Sequence, residues 1–473
     1  MVALRVGLSV TLLWLAACAM GPDYKRPKIP APESFRMAEV EGESIANMPW
    51  WELLRDEELQ RLVRIALNEN KDLKQAVATV EEFQARLYSA RIDYLPQASV
   101  SANAPVLGRM TPFSIAGFPT PTSYNIQGNL NWELDIWGRV RRSNEAALGD
   151  LLAREENRRA VILELVSGVA QAYFDLRQLD MQWDIAKRTL QSWEDSVKIA
   201  QARLRQGLIP KLDADQFEAE RANAAARSAE LERQVVQKEN ELSVLLGRNP
   251  AAITRGQMLT EQVMPPEVPA GLPSQLLQRR PDILQVEEQL AAATARIGVA
   301  KANRFPQITL TGLLGVASPH PSNLFGSDSK FGAAGFGLAG PLFNAQTLGY
   351  EQRAVEAQAR EVLAQYEKTV IVAFREVEDA LVAVRTARDQ SLAQEAQVAA
   401  LQSALHLADL RYRGGLANYL DVLTAKQGLF NAELSLAATR RLHLVSIVQL
   451  YRALGGGWSV DSMAQGQAMP VNQ

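Results

Sequence analysis

Apolar residues fall at alternating intervals of three and four along Leu176, Leu179, Trp183, Ala186, Leu190, Trp193, Val197, Ala200 and Leu204. A mean period of about 3.5 residues is the seam of a coiled coil, not the broader stripe of a globular helix. A second seam, Val384, Ala387, Val398, Leu401, Leu405, Ala408 and Tyr412, keeps the same register, with polar breaks at Ser391 and Gln394. No proline occurs between Thr122 and Ile209, between Lys211 and Asn249, or between Leu342 and Met469. An interior proline costs a helix about 3 kcal/mol, so these stretches can stay helical throughout. The pattern predicts long helices over about 140–206 and 345–413, each ~100 Å long at ~1.5 Å per residue. Shorter helices are expected to follow over about 211–247 and 418–454.

The period changes to two before each long helix. From Tyr124 to Ile136 apolar and polar residues alternate, with Gly128 neutral. One face carries Tyr124, Ile126, Leu130, Trp132, Leu134 and Ile136; the other carries Asn125, Gln127, Asn129, Asn131, Glu133 and Asp135. The length suits a membrane-crossing strand of about 9–11 residues, and Tyr and Trp fit an interfacial girdle. A half-buried soluble strand alternates in the same way. Further strands are expected over Ala98–Ala104, Gln307–Gly315 and Lys330–Gly340, the last with a change of phase between Phe331 and Phe336. The Pro-, Ser- and Gly-rich stretches Val106–Ser123 and Val316–Ser329 read as exposed hairpin loops. Four strands cannot close a membrane barrel, which takes at least about eight. Two chains would supply eight and three would supply twelve, and the alternation does not choose between them.

The same order of elements occurs twice. Asp72-Leu73, Ala85-Arg86, Ala90-Arg91 and Pro96-Gln97 are matched 210 positions later by Asp282-Ile283, Ala295-Arg296, Ala300-Lys301 and Pro306-Gln307. Arg203 to Asp213 is matched by Arg411 to Asp421. This spacing is too long for a solenoid repeat and reads as a duplicated half. The expected organisation is a first repeat over 46–250, a connector over 251–272, a second repeat over 273–458 and a tail over 459–473.

Ahead of the first repeat, Arg5 precedes an apolar run from Val6 to Leu15. Such a run is too short to span a bilayer, which takes about 20 residues, but suits the core of a signal peptide. It ends in Leu15-Ala16-Ala17-Cys18, a lipobox-like sequence that implies cleavage after residue 17 and a covalent lipid on Cys18. Ala19, not Asp, follows the cysteine, which by the bacterial sorting rule implies the outer membrane. Prolines 22, 27, 30 and 32 make residues 18–45 an expected extended tether that carries the acylated end before the fold begins.

Composition narrows the chemistry. Charged residues are 22% and apolar residues 47%, which excludes a disordered tail protein. A formal net charge of −3 from 50 basic and 53 acidic residues argues against a nucleic-acid binder. One cysteine permits no intrachain disulfide, and His320, His406 and His443 offer no ligand spacing. No metal site, cofactor motif, triad or phosphate loop is recognisable, so an enzyme is the weaker reading. A lipid-anchored periplasmic adaptor also carries a coiled-coil hairpin, but has one hairpin flanking a β-rich half, whereas this chain has two matched hairpins.

The chain resembles the outer-membrane factors of the TolC and OprM type, in the lipoprotein branch labelled NodT. The resemblance is carried by Gly21-Pro22-Asp23-Tyr24, Trp50-Trp51 before Asp56-Glu57-Glu58-Leu59, Ala66 to Leu73, and Trp132-Glu133-Leu134-Asp135-Ile136-Trp137-Gly138-Arg139. Gly271-Leu272-Pro273-Ser274 leading to Arg279-Arg280-Pro281-Asp282-Ile283, and Leu454-Gly455-Gly456-Gly457-Trp458, complete it. It implies a mainly α, internally duplicated fold with a β-barrel portion: a homotrimer with a twelve-stranded outer-membrane barrel and a periplasmic α-barrel. Trp50 to Ala66, Leu246 to Leu272 and the tail after Leu454 would form a collar. The implied function is a passive exit duct in a Gram-negative-type outer membrane, working with a periplasmic adaptor and an inner-membrane pump of the RND type. Its closing end would be the turns at Gln206-Gly207-Leu208-Ile209-Pro210 and Arg413-Gly414-Gly415-Leu416-Ala417, where glycine permits positive φ. Asp421 matches a constriction-ring aspartate, Leu420 an apolar ring residue, and Thr424 replaces a second ring carboxylate. Three Asp421 side chains near an axis would attract cations. Asp213 and Tyr412 match two members of a tip linkage whose arginine is replaced here by Ala417. The adaptor would dock on Arg203, Gly207, Leu208, Arg411, Gly415 and Leu416.

Overall fold

The computed structural model describes residues 19–30, 32, 34–35, 55–104, 124–262, 273–341 and 343–456. The signal segment 1–17, Cys18, Trp50, Trp51, the loop Val106–Ser123 (with Pro105), Gly457, Trp458 and the tail 459–473 lie outside the described residues. The element order is α1 (Glu57–Glu69), α2 (Lys71–Ile92), β1 (Gln97–Asn103), β2 (Tyr124–Leu134), α3 (Arg139–Arg205) and α4 (Lys211–Leu245). Then come α5 (Pro273–Arg279), α6 (Pro281–Ala302), β3 (Gln307–Ser318), β4 (Lys330–Ala339), α7 (Ala345–Arg413) and α8 (Tyr419–Ala453). The fold is mainly α and its duplication is visible in element lengths. Helices α2 and α6 both have 22 residues, α4 and α8 both have 35, and α3 and α7 have 67 and 69. Every residue of the two sequence-predicted seams is buried or half-buried. The polar breaks follow the seam too: Ser391 is buried, and the Gln394 side-chain oxygen is buried without a hydrogen-bond partner among the described residues.

The chain divides into two compact units. The first comprises Met1–Lys28, Thr79–Glu155 and Gln285–Glu367. Among the described residues it holds one antiparallel sheet in the order β1-β2-β3-β4, in which both outer strands have an unpaired edge. The strand-to-helix junction accounts for the Trp132–Arg139 signature. The β2 strand ends at Leu134, two residues before the end of the alternation. Asp135 leaves the ladder because its carboxylate accepts the Val140 and Arg141 backbone N–H groups, both at 2.9 Å. It thereby satisfies donors that the first turn of α3 cannot use internally. Trp137 stacks on Phe305 at 4.8 Å and donates its indole N–H to the Pro306 carbonyl at 2.7 Å. The β3–β4 loop is shorter than expected, because Val316, Ala317 and Ser318 remain in the ladder opposite Ile126, Asn125 and Tyr124. It contains two single 3₁₀ turns, Pro321–Asn323 and Ser327–Ser329.

The second unit comprises Ile29–Ala78, Glu156–Leu284 and Lys368–Gln473. Its largest core packs Leu59, Leu62, Val63 and Ala66 of α1 against Val169, Tyr173 and Phe174 of α3, Leu242 of α4, and Leu444, Val448 and Tyr451 of α8. Buried Asp56 caps α1 by accepting from the Leu59 N–H at 3.1 Å, and also accepts from the Tyr173 hydroxyl at 2.8 Å and the Gln262 amide at 2.6 Å. The two halves close their hairpins alike. Gly247, at φ 71°, lies so close to Glu69 and Asn70 that a Cβ would strike the Glu69 carbonyl; Gly455, at φ 70°, packs on Arg280, where a Cβ would sit tightly, 3.1 Å from the Arg280 Cα, without a collision. Arg280 then reaches Glu376 at 2.8 Å and the Ala453 carbonyl at 3.1 Å. The Arg280-Pro281-Asp282 and Leu454-Gly455 signatures are therefore two sides of one joint.

Candidate functional site

Strand register sorts the sheet into two faces. Val100 faces Gly128, Ala98 faces Leu130, Trp132 faces Leu310 and Leu134 faces Ile308. Leu310 in turn faces Phe336, and Ile308 faces Leu338. On this face Val100, Leu314, Phe336 and Leu338 are 73–79% exposed. Each such side chain forgoes about 1.5–3 kcal/mol of burial while it stays in water, and a contiguous exposed apolar face signals another medium or partner. The opposite face is polar along β1 and β2. Asn103 donates to Asn125 at 2.9 Å, Gln127 to Asn129 at 3.2 Å and Asn129 to Ser101 at 3.4 Å. The phase change in β4 is real: Phe331 sits opposite Gly315 on the polar face and Phe336 opposite Leu310 on the apolar face. An apolar outer band over a polar inner face is the pattern of a membrane barrel wall.

The Gly21-Pro22-Asp23-Tyr24 segment is extended, but it corrects the expectation that the fold begins only after the tether. It lacks regular structure but is docked side chain by side chain. The Met20 N–H donates to the Trp137 carbonyl at 2.9 Å, just beyond β2. Gly21, at φ 96°, lies against Gly298, where a Cβ would come within 2.5 Å of the Gly298 Cα. Asp23 accepts from Arg142 at 2.6 Å, and Tyr24 and Arg26 both donate to Glu287, at 3.2 and 2.5 Å. The fold therefore begins by residue 20, and the residue after Cys18 is held beside Gly138.

At the helix turns the two halves again coincide. The Leu208 N–H donates to the Arg203 carbonyl and Gly207 to Leu204, both at 2.9 Å; Leu416 donates to Arg411 at 2.8 Å and Gly415 to Tyr412 at 3.1 Å. This paired pattern ends a helix through a left-handed residue, here Gly207 at φ 71° and Gly415 at φ 73°. Leu208 and Leu416 are 67% and 76% exposed. Arg411 is exposed, whereas Arg203 is drawn inward over the Tyr412 ring, 4.9 Å from its centroid. Leu420 and Asp421 are exposed in the first turn of α8, and Thr424 donates its hydroxyl to the Leu420 carbonyl at 2.8 Å. Asp213 and Tyr412 lie at this same end and both act on Tyr419, but no hydrogen bond joins them.

An aromatic core at the turn end escaped the sequence reading. Trp193 and Phe217 meet edge-on at 6.3 Å, Phe217 and Tyr419 are 3.8 Å apart, and Tyr419 and Tyr412 are 6.2 Å apart. Lys426 lies over Trp193, 4.7 Å from the ring centroid. Burial pushes the Tyr419 hydroxyl up, with Glu220, Tyr412 and Asp213 adding to the shift. Burial pushes the Lys426 ammonium down; Asp409 opposes that shift and Arg413 adds to it. The available signal was four aromatic residues within a few turns of the two glycine turns. Among the described residues no helix is long and apolar enough to cross a membrane, and no group of three or more His, Cys, Asp or Glu residues could hold a metal ion.

The family model described as outer membrane efflux protein matches residues 62–248 and 272–456. The toluene efflux pump outer membrane protein TtgC of Pseudomonas putida is 34% identical over 463 residues, covering 96% of this chain and 95% of that protein. The cation efflux system protein CusC of Escherichia coli is 33% identical over 454 residues, covering 94% and 97%. The solved open state of the Neisseria gonorrhoeae MtrE outer membrane channel superposes with a TM-score of 0.83 at 32% identity, covering 93% of this chain and 98% of that one.

Proposed function

This chain belongs to the outer membrane efflux protein family and is an outer-membrane exit duct; from that premise we propose how it is assembled and opened. Three copies pool their sheets into one twelve-stranded barrel. The observation that carries this is the sheet itself: four strands, an exposed apolar face, a polar opposite face and two unpaired edges. An open edge is not tolerated in lipid, because each unpaired backbone group there costs several kcal/mol. Edge β1 of one copy pairs with edge β4 of the next until the ring closes. The polar face lines the passage.

The duct conducts passively and performs no chemistry. TtgC is named for toluene efflux and CusC for cation efflux, one an apolar load and the other a charged one, and this chain is about equally similar to both. A wall that supplies passage rather than recognition fits both. Cargo choice and energy come from an inner-membrane pump of the RND type, joined through a periplasmic adaptor. The adaptor docks on the matched turns: exposed Leu208 and Leu416 beside Gly207 and Gly415, with Arg411 exposed and Arg203 held over the Tyr412 ring. Cys18 carries the lipid. The hydrogen bond from Met20 to Trp137 supports this, since it brings the acyl chains to the end of β2, where the strand leaves the membrane.

Opening occurs at the turn end, with Leu420 and Asp421 as the constriction and Thr424 neutral behind them. Purified acylated protein in planar bilayers tests the reading. Wild type is expected to pass small cation-preferring currents, and Asp421→Ala to raise conductance and lower cation preference. Unaltered conductance and selectivity in the variant would remove Asp421 from the constriction, and no current from any preparation would remove the duct.

A further inference from the structure

We propose that Lys426 is the fastening that ties α8 to α3 beside the helix turns, and that its release opens the turn end; this rests on the exit-duct reading above. The linkage implied by the family resemblance is incomplete here. Ala417 stands at the arginine position, and Asp213 and Tyr412 make no hydrogen bond to one another. A different cation ties the helices. The Lys426 ammonium donates to Ser196 Oγ at 2.8 Å and to Ser192 Oγ at 3.0 Å, and it approaches the Ser192 carbonyl at 3.5 Å. The Trp193 ring is beneath it. Ser196 donates its own hydrogen to the Ser192 carbonyl at 2.8 Å, which turns its lone pairs toward Lys426. An ammonium has three donors and no acceptor; this seat supplies hydroxyl oxygens for two of them, a carbonyl at the edge of reach for the third and a π face for the charge.

The manner of holding explains how the tie can be undone. Among the described residues no carboxylate lies within ion-pairing distance of Lys426; Asp409 and Asp195 act from further away and Arg413 opposes them. Hydroxyl and carbonyl partners can be exchanged for water at a modest net cost once the helices separate, whereas stripping a buried ion pair leaves an uncompensated charge and costs far more. On the same helix, about two turns earlier, the Tyr419 hydroxyl is buried with no hydrogen-bond partner among the described residues. An unmade hydrogen bond of a buried hydroxyl raises the energy of the arrangement in which it occurs. The fastened position of α8 therefore carries a polar group that gains a partner when α8 shifts toward water or toward Asp213 and Glu220. Gln427, donating to Glu220 at 2.7 Å, ties the same turn of α8 to α4 and acts beside the fastening.

The test is the mean current of purified, acylated protein in planar bilayers, with the heat resistance of the assembled protein measured on the same samples. Lys426→Met removes the donors and keeps the length of the side chain, and the double variant Ser192→Ala with Ser196→Ala removes the acceptors. Each should raise the mean current, with the ratio of open to closed channels shifting by roughly tenfold, while heat resistance stays at the wild-type value. Lys426→Arg, which can still donate to both hydroxyls and lie on Trp193, should restore wild-type current. Wild-type current in both loosening variants, or a rise that Lys426→Arg does not reverse, would overturn the fastening and leave the duct standing. Silence of wild type and every variant would overturn the duct and the fastening with it.

Discussion

Two glycines of the same conformation do different work. Gly207 and Gly247 both have φ 71°, but nothing would touch a Cβ at Gly207, while a Cβ at Gly247 would strike the Glu69 carbonyl. Gly207→Ala should therefore cost only the left-handed backbone strain, about 1–2 kcal/mol. Gly247→Ala adds a backbone collision that the α1–α2 corner must yield to, and should cost at least about 3 kcal/mol. Denaturant unfolding followed by helical circular dichroism compares them directly; equal losses would mean that the Gly247–Glu69 approach carries no weight. Gly207 was legible as a turn glycine, because positive φ is a local property, whereas Gly247 was marked only as the end of the helix over about 211–247. Lys426 was not legible, since its partners lie 234 and 230 positions away and no spacing rule links them. The docked N-terminus was misread for a related reason. Four prolines describe how the chain travels, whereas Gly21 against Gly298 and Asp23 against Arg142 decide what it travels along.

Among the elements, the long helices were the most legible, since a three–four alternation sustained over nine seam residues admits few other structures. Strand ends were the least legible. Alternation continues through Ile136, but Asp135 is worth more as a cap for α3 than as a ladder residue, so β2 stops at Leu134. The faces of β2 make opposite predictions. Leu130→Arg places a charge on the apolar face and should cost roughly 2–4 kcal/mol near the bilayer centre, seen as loss of heat-resistant assembled protein from outer-membrane fractions. Asn129→Arg, one residue away on the polar face, should assemble normally and shift bilayer currents toward anions. Normal assembly of Leu130→Arg would mean that this face does not meet lipid.

For the whole molecule, duplication is the economical feature. Each half contributes a strand pair, a long helix, a glycine turn and a returning helix, and the joints at Gly247 and Gly455 repeat the same device on Glu69 and Arg280. Among the described residues, one copy still has two bare sheet edges and an exposed apolar face. Copies must therefore complete one another. The native mass of the acylated protein, extracted gently from outer membranes, tests this most directly. Three times the chain mass is the predicted result, and a population at the mass of a single chain would contradict it.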